Sequence, residues 1–203
     1  IKMIGKLFLI CAPSGAGKTT LVNYVLKDLG DTYNIRRAIT YTSRLPRVGE
    51  IHGEHYFFID ELEFEKKIQE NYFIEWSKSY GTYYGSSKTI IEELKFGRSF
   101  ILIVDINGVR EIYKQHNASI VIRILPPSLD ILIDRLNRRS TENSQEIQKR
   151  LDLARSELEN VYISEICKHT VVNDSLEYAT KELRELIIDE IKALDFVRKT
   201  RVK

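Results

Sequence analysis

A glycine-rich segment near the N-terminus carries the residues best suited to bind phosphate. It follows a short apolar run, Leu7 to Cys11, and residues 12–20 are Ala-Pro-Ser-Gly-Ala-Gly-Lys-Thr-Thr. Glycines let successive backbone N–H groups turn towards phosphate oxygens, and the N-terminus of a following helix adds partial positive charge. The spacing fits a phosphate-binding loop, with Ala12 in place of the stricter first glycine. Because the order strand, loop, helix is also met, we predict a nucleoside triphosphate site rather than an ordinary glycine-rich turn.

Each position of this loop has an expected role at the triphosphate. Lys18 would neutralise the β- and γ-phosphates, and the Thr19 hydroxyl is placed to bind Mg²⁺. Asp105 directly follows a second apolar run, Ser99 to Val104, where an acid would lie beside the metal and phosphates. The residues predicted to contact the triphosphate are Ala12, Pro13, Ser14, Gly15, Ala16, Gly17, Lys18, Thr19 and Thr20.

Two arginines three residues apart suggest a second phosphate site. Arg44 and Arg47 flank Pro46 in a polar turn. Two guanidinium groups can hold one phosphate through several charge-assisted hydrogen bonds. Taken alone, the pair is equally typical of a solvated basic turn.

The elements that would position these residues form an alternating α/β pattern. Buried strands are predicted at 7–11, 99–104, 119–125 and 168–172, with helices at 19–29, 107–115, from 129 through 136, and 175–194. Such alternation favours a parallel sheet covered by helices on both faces. Residues 39–87 depart from it and predict a small insert of short strands with one helix, 61–69; residues 135–150 are rich in Arg and irregular. We predict a core (1–38 and 88–203), the insert (39–87) and a lid segment (135–152).

Composition narrows the class of protein. The 203 residues carry 31 Lys and Arg against 29 Asp and Glu, a net charge of +2, so no global field would attract a polyanion and no nucleic-acid partner is expected. No apolar run reaches the ~20 residues that span a bilayer, and no secretory signal is recognisable. Cys11 and Cys167 are expected to be two buried thiols in a reducing compartment. We therefore expect a cytoplasmic protein without a membrane partner.

Beyond the phosphate-binding loop, motifs along nearly the whole chain resemble the guanylate kinase family in order and spacing. The matching segments are Thr40 to Tyr56, Phe73 to Trp76, Tyr83 to Ser86, Arg135-Leu136 with Arg139 to Glu142, and Val172 to Asp174. The resemblance implies a P-loop NTPase three-layer core with a parallel sheet, a small mixed α+β acceptor-binding insert and an Arg-rich helical lid. It also implies ATP-dependent, reversible phosphorylation of GMP, and of dGMP, by direct in-line transfer with Mg²⁺.

The resemblance also implies the roles of particular residues. GMP would be bound by Thr40, Arg44, Arg47, Glu50, Tyr56, Glu75, Tyr84, Ser86 and Asp105. ATP would also contact Arg135, and Asn173 would contact its adenine. The catalytic residues would be Lys18, Arg44, Arg139 and Arg150, with Thr19 at the metal.

The chemistry of Glu75 and Ser86 agrees with recognition of guanine. Guanine has adjacent N1–H and N2–H₂ donors, which one carboxylate can accept together, and a hydroxyl can donate to O6. Adenine has an acceptor at N1, so AMP should be rejected strongly. On its own, Glu75 beside Trp76 would more often be a charge on the solvent face of a strand.

Some residues depart from the family pattern. Thr40 replaces a usual Ser, Ile103 occupies a position that usually holds an acid, and Ser140 replaces a lid Gly, which could stiffen the loop. His52 and His55 have no third ligand nearby in sequence and are interpreted as surface residues.

Two alternatives remain at this point. A related P-loop kinase could act on a phosphorylated sugar such as ribose 1,5-bisphosphate, which would not need the paired Glu75 and Ser86. A non-catalytic guanylate-kinase-like domain could bind peptides, although such domains lose the loop lysine. ATP and GMP are the expected partners, and the sequence leaves monomer and homodimer open.

Overall fold

The computed structural model describes residues 4–13, 15–79, 81–137 and 144–200 of the chain. Strands and helices alternate along most of it. In chain order they are β1 (Leu7–Cys11), α1 (Lys18–Leu29), β2 (Ile35–Arg37), β3 (Tyr41–Thr42), β4 (Phe57–Phe58), α2 (Glu61–Gln69), β5 (Phe73–Ser79), β6 (Thr82–Ser87), α3 (Thr89–Leu94), β7 (Ser99–Ile103), α4 (Ile106–Gln115), β8 (Ile120–Leu125), α5 (Leu129–Asn137), α6 (Ser144–Leu158), α7 (Val161–Ile166), β9 (Cys167–Val172) and α8 (Leu176–Thr200).

The main sheet has five parallel strands in the order β2-β7-β1-β8-β9. Strand β1 is central, and all five of its residues are buried, as expected for a strand covered on both faces. The chain crosses from β1 to the edge at β2 and then returns to the other side of β1 at β8. The loop after β1 therefore lies at a point where the connections diverge, which is where open α/β sheets bind ligands.

Helices cover both faces of this sheet. On one face α1 and α8 pack in a cluster that includes Val22, Val25 and Leu183. On the other, α3, α4 and α7 pack in a second cluster that includes Leu94, Ile112 and Ile163. The three-layer α/β fold predicted from the sequence is confirmed.

A second sheet, in the order β4-β3-β6-β5, lies within the insert. Strands β3 and β4 are parallel, whereas the other pairs are antiparallel, so the predicted mixed character is confirmed. The register of β5 against β6 shifts between Phe73 and Glu75. This bulge lets Phe73 enter the core of the insert while Ile74 joins the cluster under α4.

Most predicted elements are confirmed within one or two residues at their starts, including the helix over 61–69. Short β2, α3 and α7 are not predicted from the sequence, because three to six residues give too little periodicity to detect. The expectation of two buried thiols is wrong for Cys167, which is only half-buried at the start of β9. Among the residues described, no helix is both long and apolar enough to cross a membrane.

Candidate active site

The loop after β1 has the backbone geometry that phosphate binding requires. Gly15 and Gly17 both have φ of +88°, a region that other residues enter only with strain. Gly17 is also the N-cap residue of α1, so the chain turns directly into the helix. The Nζ of Lys18 donates to the carbonyl of Ala12 at 2.5 Å and to that of Pro13 at 3.2 Å. Ser14, predicted here, lies outside the described residues.

A cavity of about 350 Å³ opens beside this loop. It lies between the main sheet and the insert. Its lining comes from the loop after β1, from α1, β7 and α6 of the core, and from β5, β6 and the segments before β3 and β4 of the insert. Seven predicted residues line it together: Ala12, Lys18, Thr40, Tyr56, Glu75, Tyr84 and Asp105. The fold thus brings the loop lysine and the proposed guanine-recognising acid to one space.

Glu75 is a half-buried acid on β5. Its cross-strand partner is Ser86, and the Ser86 hydroxyl donates to Oε1 of Glu75 at 2.6 Å. Burial raises the pKa of Glu75 to about 7; the charge of Asp105 adds to the rise, and the Ser86 hydrogen bonds oppose it. Because the Ser86 hydroxyl is fully buried and donates to Glu75, it would have to reorient to donate to a guanine O6.

Asp105 has a local structural role as well as a place in the cavity. Its Oδ1 accepts the backbone N–H of Gly108 at 2.7 Å, which caps the N-terminus of α4. Gly108 is close to both acids, since a Cβ there would lie 3.4 Å from Asp105 Oδ1 and from Glu75 Oε2. The helix cap therefore fixes one carboxylate of the cavity next to the other.

The insert holds a strong arginine–carboxylate pair next to the cavity. Both terminal nitrogens of Arg44 donate to the Glu50 carboxylate at 2.6 Å, and this hydrogen bonding lowers the pKa of Glu50 to about 2. The guanidinium also lies over the ring of Tyr56, 5.0 Å from its centre, and Tyr56 packs against Tyr84. Arg47 is exposed; its backbone N–H donates to the Glu50 carboxylate at 2.7 Å, and its carbonyl accepts the Glu50 N–H at 3.0 Å.

Asn173 lies behind the phosphate-binding loop. Its side-chain amide is buried and donates to the carbonyl of Ala16 at 2.7 Å. A Cβ added at Gly17 would come within 2.4 Å of the same amide nitrogen, so loop and side chain are in close contact. Arg135, at the end of α5, donates to the Asn173 carbonyl at 2.9 Å. This bond uses one of the two N–H groups of the amide, so the contact with adenine stays a prediction.

The other predicted residues are placed as follows. Thr19 and Thr20 are exposed in the first turn of α1. Arg150 lies in α6, and its side chain is outside the described part of the structure. Arg139 and Ser140 lie outside the described residues.

Further residues line the cavity that sequence reasoning did not assign to the site. They are Ser77, Gly85, Ile103, Val104 and Glu157, of which Ile103 was recognised only as a departure. Glu157 lies at the end of α6; burial raises its pKa, against the charge of Lys18. Its Oε2 is buried without a hydrogen-bond partner among the described residues. Helix α6 is rich in charged residues, so no sequence pattern distinguishes Glu157 from the other charged residues of the helix.

Across the described ranges, no three His, Cys, Asp or Glu side chains are grouped to hold a metal ion by themselves. Magnesium in nucleotide-binding enzymes usually keeps several waters and is bound by one or two protein oxygens plus phosphate. The exposed Thr19 hydroxyl, close in sequence to Lys18, and the Asp105 carboxylate at the cavity suit that kind of site.

Comparison with known proteins agrees with this geometry. A family model described as "Guanylate kinase" matches residues 4–190. A guanylate kinase of Protochlamydia amoebophila is 41% identical over 187 residues, covering 92% of this chain and 91% of that protein. The chain belongs to the guanylate kinase family. The family predicted from the sequence, and with it the class of nucleoside monophosphate kinase, is confirmed.

Other members of the guanylate kinase family agree. A guanylate kinase of Geobacter metallireducens is 38% identical over 192 residues, covering 94% of this chain and 91% of the relative. The crystal structure of guanylate kinase from Anaplasma phagocytophilum superposes with a TM-score of 0.73 at 24% identity, covering 93% of this chain and 87% of that one. The second comparison supports the fold alone.

Proposed function

We propose that this chain catalyses ATP + GMP ⇌ ADP + GDP, and accepts dGMP, by direct in-line transfer of the γ-phosphoryl group. The observation that carries the proposal is that Lys18 and Glu75 line the same cavity. Lys18 belongs to the proposed triphosphate-binding loop, and Glu75 is a half-buried carboxylate suited to guanine. Membership of the guanylate kinase family supports the same activity.

The acceptor half of the proposed site is formed by the insert. Glu75 would accept hydrogen bonds from guanine N1–H and N2–H₂, with Thr40 and Ser86 completing base recognition. The phosphate of GMP would be bound by Arg44, with Arg47, Tyr56 and Tyr84 around it, while Glu50 holds Arg44 in place. An anionic phosphate oxygen is already a nucleophile near pH 7, so no general base is required.

The donor half is formed by the core. Backbone N–H groups of residues 12–20 and the N-terminus of α1 would hold the triphosphate, and Lys18 would offset its charge. Thr19, with Asp105 nearby, would hold Mg²⁺, which when bound neutralises developing charge on the phosphates. Arg139 and Arg150 would contact the phosphates from the lid segment, with Arg135 and Asn173 on the ATP side.

Three parts of the chain have separate roles in the proposal. Residues 1–38 and 88–203 form the core, residues 39–87 bind GMP, and residues 135–152 close as a lid. Closure would exclude water and so limit wasteful hydrolysis of ATP. The proposal assigns every site residue to one chain and is compatible with a monomer or a homodimer. A cytoplasmic location fits nucleotide substrates and the free thiols of Cys11 and Cys167.

A coupled assay of nucleoside diphosphate formation tests the function. Purified protein with ATP and Mg²⁺ is given GMP, dGMP, AMP, UMP, CMP or ribose 1,5-bisphosphate in separate reactions. We expect turnover with GMP and dGMP and at most about 1% of that rate with AMP, because AMP leaves the Glu75 carboxylate facing an acceptor. Equal turnover of AMP and GMP, or none with GMP, would contradict the proposal.

A further inference from the structure

Arg123 is a charged residue in the interior of an apolar strand. It interrupts the Ile-Val-Ile-Arg-Ile-Leu sequence of β8 and is only 9% exposed. Strand β8 lies between β1 and β9 in the main sheet. Burying a guanidinium in such a place has a large desolvation cost unless its donors are hydrogen-bonded. Its partners therefore indicate what the residue does.

Those partners are at the end of the helix that leads out of the lid segment. One terminal nitrogen of Arg123 donates to the carbonyls of Glu157 at 2.7 Å and Leu158 at 2.5 Å. The other donates to the Ser164 hydroxyl at 3.4 Å. The last carbonyls of a helix have no partner within it and carry partial negative charge. Arg123 thus caps the C-terminus of α6 with a cation.

The same residue is fixed to the strand that carries the phosphate-binding loop. Arg123 pairs in register with Cys11, the last residue of β1. Ala12, which follows Cys11, begins the loop. Both Ala12 and Glu157 line the cavity. Arg123 therefore links the start of the loop, through the pairing of its strand with β1, to the end of α6, through its guanidinium.

Other described contacts of α6 are few. Leu151 and Ala154 pack in a small cluster with Leu132 of α5, and α5 is in turn linked to the end of β9 by the hydrogen bond from Arg135 to the Asn173 carbonyl. Arg150 lies eight residues before the end of α6, about 12 Å along a helix. A shift of the helix end would therefore displace both Arg150 and Glu157.

We propose that Arg123 is a positioning residue for phosphoryl transfer: it fixes the end of α6 to the sheet and so holds Glu157 in place at the cavity. The inference rests on the proposed GMP kinase activity. Arg123 itself contacts no reacting group. Its effect is on the alignment of the residues that α6 carries.

Three variants test the inference. Arg123→Met removes every donor while keeping most of the side-chain length, Arg123→Lys keeps the charge and some donors, and Arg155→Met is the matched control. Arg155 lies in the same helix, is exposed, and pairs only loosely with Asp152 at 3.9 Å. For each protein, kcat and both KM values are measured, and calorimetric titration with ATP counts binding-competent sites.

We expect Arg123→Met to lower kcat per ATP-binding site by roughly tenfold or more, because small misalignments are costly in transfer reactions. The KM for ATP should change less than twofold, Arg123→Lys should recover part of the rate, and Arg155→Met should match the parent protein. A kcat within twofold of the parent for Arg123→Met would overturn the inference. So would a loss explained entirely by fewer ATP-binding sites.

If Arg123→Met does not fold, amide hydrogen exchange of Arg123→Lys tests the inference instead. In Arg123→Lys we expect faster amide exchange over residues 151–158 with unchanged protection of β1, together with a lower kcat. Unchanged exchange and parental kcat would contradict the inference. If the parent protein itself fails to phosphorylate GMP, the proposed function fails, and the exchange experiment alone then decides whether Arg123 anchors α6.

Discussion

At the scale of single residues, Glu75 shows how burial changes a side chain's chemistry. The acid is half-buried on β5 beside α4, and burial raises its pKa to about 7. A carboxylate in this place costs stability, because the folded state retains its proton between pH 4.5 and about 7 while the unfolded chain releases it. Stability therefore falls as the pH rises through that window. The guanine recognition proposed for Glu75 would require the ionised form, which the fold disfavours.

The pH dependence of GMP binding follows from this pKa. Below about pH 7 the Glu75 carboxyl is increasingly protonated and can no longer accept from both guanine donors. The KM for GMP should rise roughly tenfold for each pH unit well below 7, until GMP phosphate protonation also contributes, while the KM for ATP stays nearly constant. Steady-state kinetics between pH 5.5 and 8.5 measure both. In Glu75→Gln the GMP KM should be high at every pH, and a Glu75→Gln profile matching the parent would contradict the assignment.

The role proposed for Arg44 depends on the planar geometry of its guanidinium more than on its charge. Its two nitrogens meet Glu50 in a bidentate pair while the guanidinium covers Tyr56. A lysine retains the charge but has neither the planar fork nor the stacking surface. Glu50 and Tyr56 thus hold the Arg44 guanidinium in one orientation without a bound ligand.

Arg44→Lys should therefore raise the KM for GMP about tenfold or more, with the KM for ATP unchanged. Initial-rate kinetics with each substrate varied separately measure the effect. Arg36→Lys is a suitable control, because Arg36 is exposed on β2 and does not line the cavity. A KM for GMP within twofold of the parent would show that Arg44 does not bind the phosphate.

At the scale of elements, the end of β9 supports the phosphate-binding loop. Asn173 follows β9 and donates to Ala16, and Arg135 from α5 donates to Asn173. Resemblance to the family predicts an adenine contact at Asn173, whereas its amide hydrogen bond is with the loop. These two roles differ in how they depend on the base of the donor nucleotide.

If Asn173 acts through the loop, Asn173→Ala should lower kcat/KM for ATP and for GTP by the same factor, roughly tenfold. An adenine contact would instead reduce the value for ATP alone. Comparing the two donors with GMP as acceptor separates the roles. Asn160→Ala is the control, since Asn160 caps α7 through its side chain and is remote from the loop in sequence.

The elements also show why sequence patterns predict some parts of the site and not others. Continuous apolar runs identify β1, β7 and β8 because buried parallel strands need such runs. The bulge in β5, which separates the environments of Phe73 and Ile74, has no local signature. Arg123 did have a signal, a charge within a buried strand, but its partners lie more than 30 residues away.

At the scale of the whole molecule, Glu190 joins the C-terminal helix to the main sheet. It lies in α8, its side chain is 7% exposed, and it pairs with Lys6, Lys168 and His169. Burial alone would raise the pKa of Glu190, but hydrogen bonds from these three residues outweigh it and lower the pKa to about 2. These ion pairs connect three parts of the chain: the residue before β1, the start of β9, and α8.

Glu190→Gln should destabilise the protein by about 3 kcal/mol near pH 7, because three cationic or hydrogen-bonding partners lose a buried charge. Since the folded-state pKa is depressed, this stabilisation is present above pH 4.5 and is lost as the pH falls towards 2. Denaturant unfolding of both proteins at pH 7 and at pH 3 measures the difference, which should shrink at the lower pH. A constant difference would show that charge pairing is not the cause.

The sequence by itself determined the class of fold, the phosphate-binding loop and the family. These depend on local patterns, such as an apolar run before a glycine-rich loop, or on motifs whose order survives along the chain. Only the tertiary structure decided which side chains share the cavity, because Lys18, Glu75 and Glu157 come from segments far apart in sequence. It also decided the state of Glu75 and the partners of Asn173 and Arg123. Burial and long-range hydrogen bonds exist only once the sheets and helices have packed together.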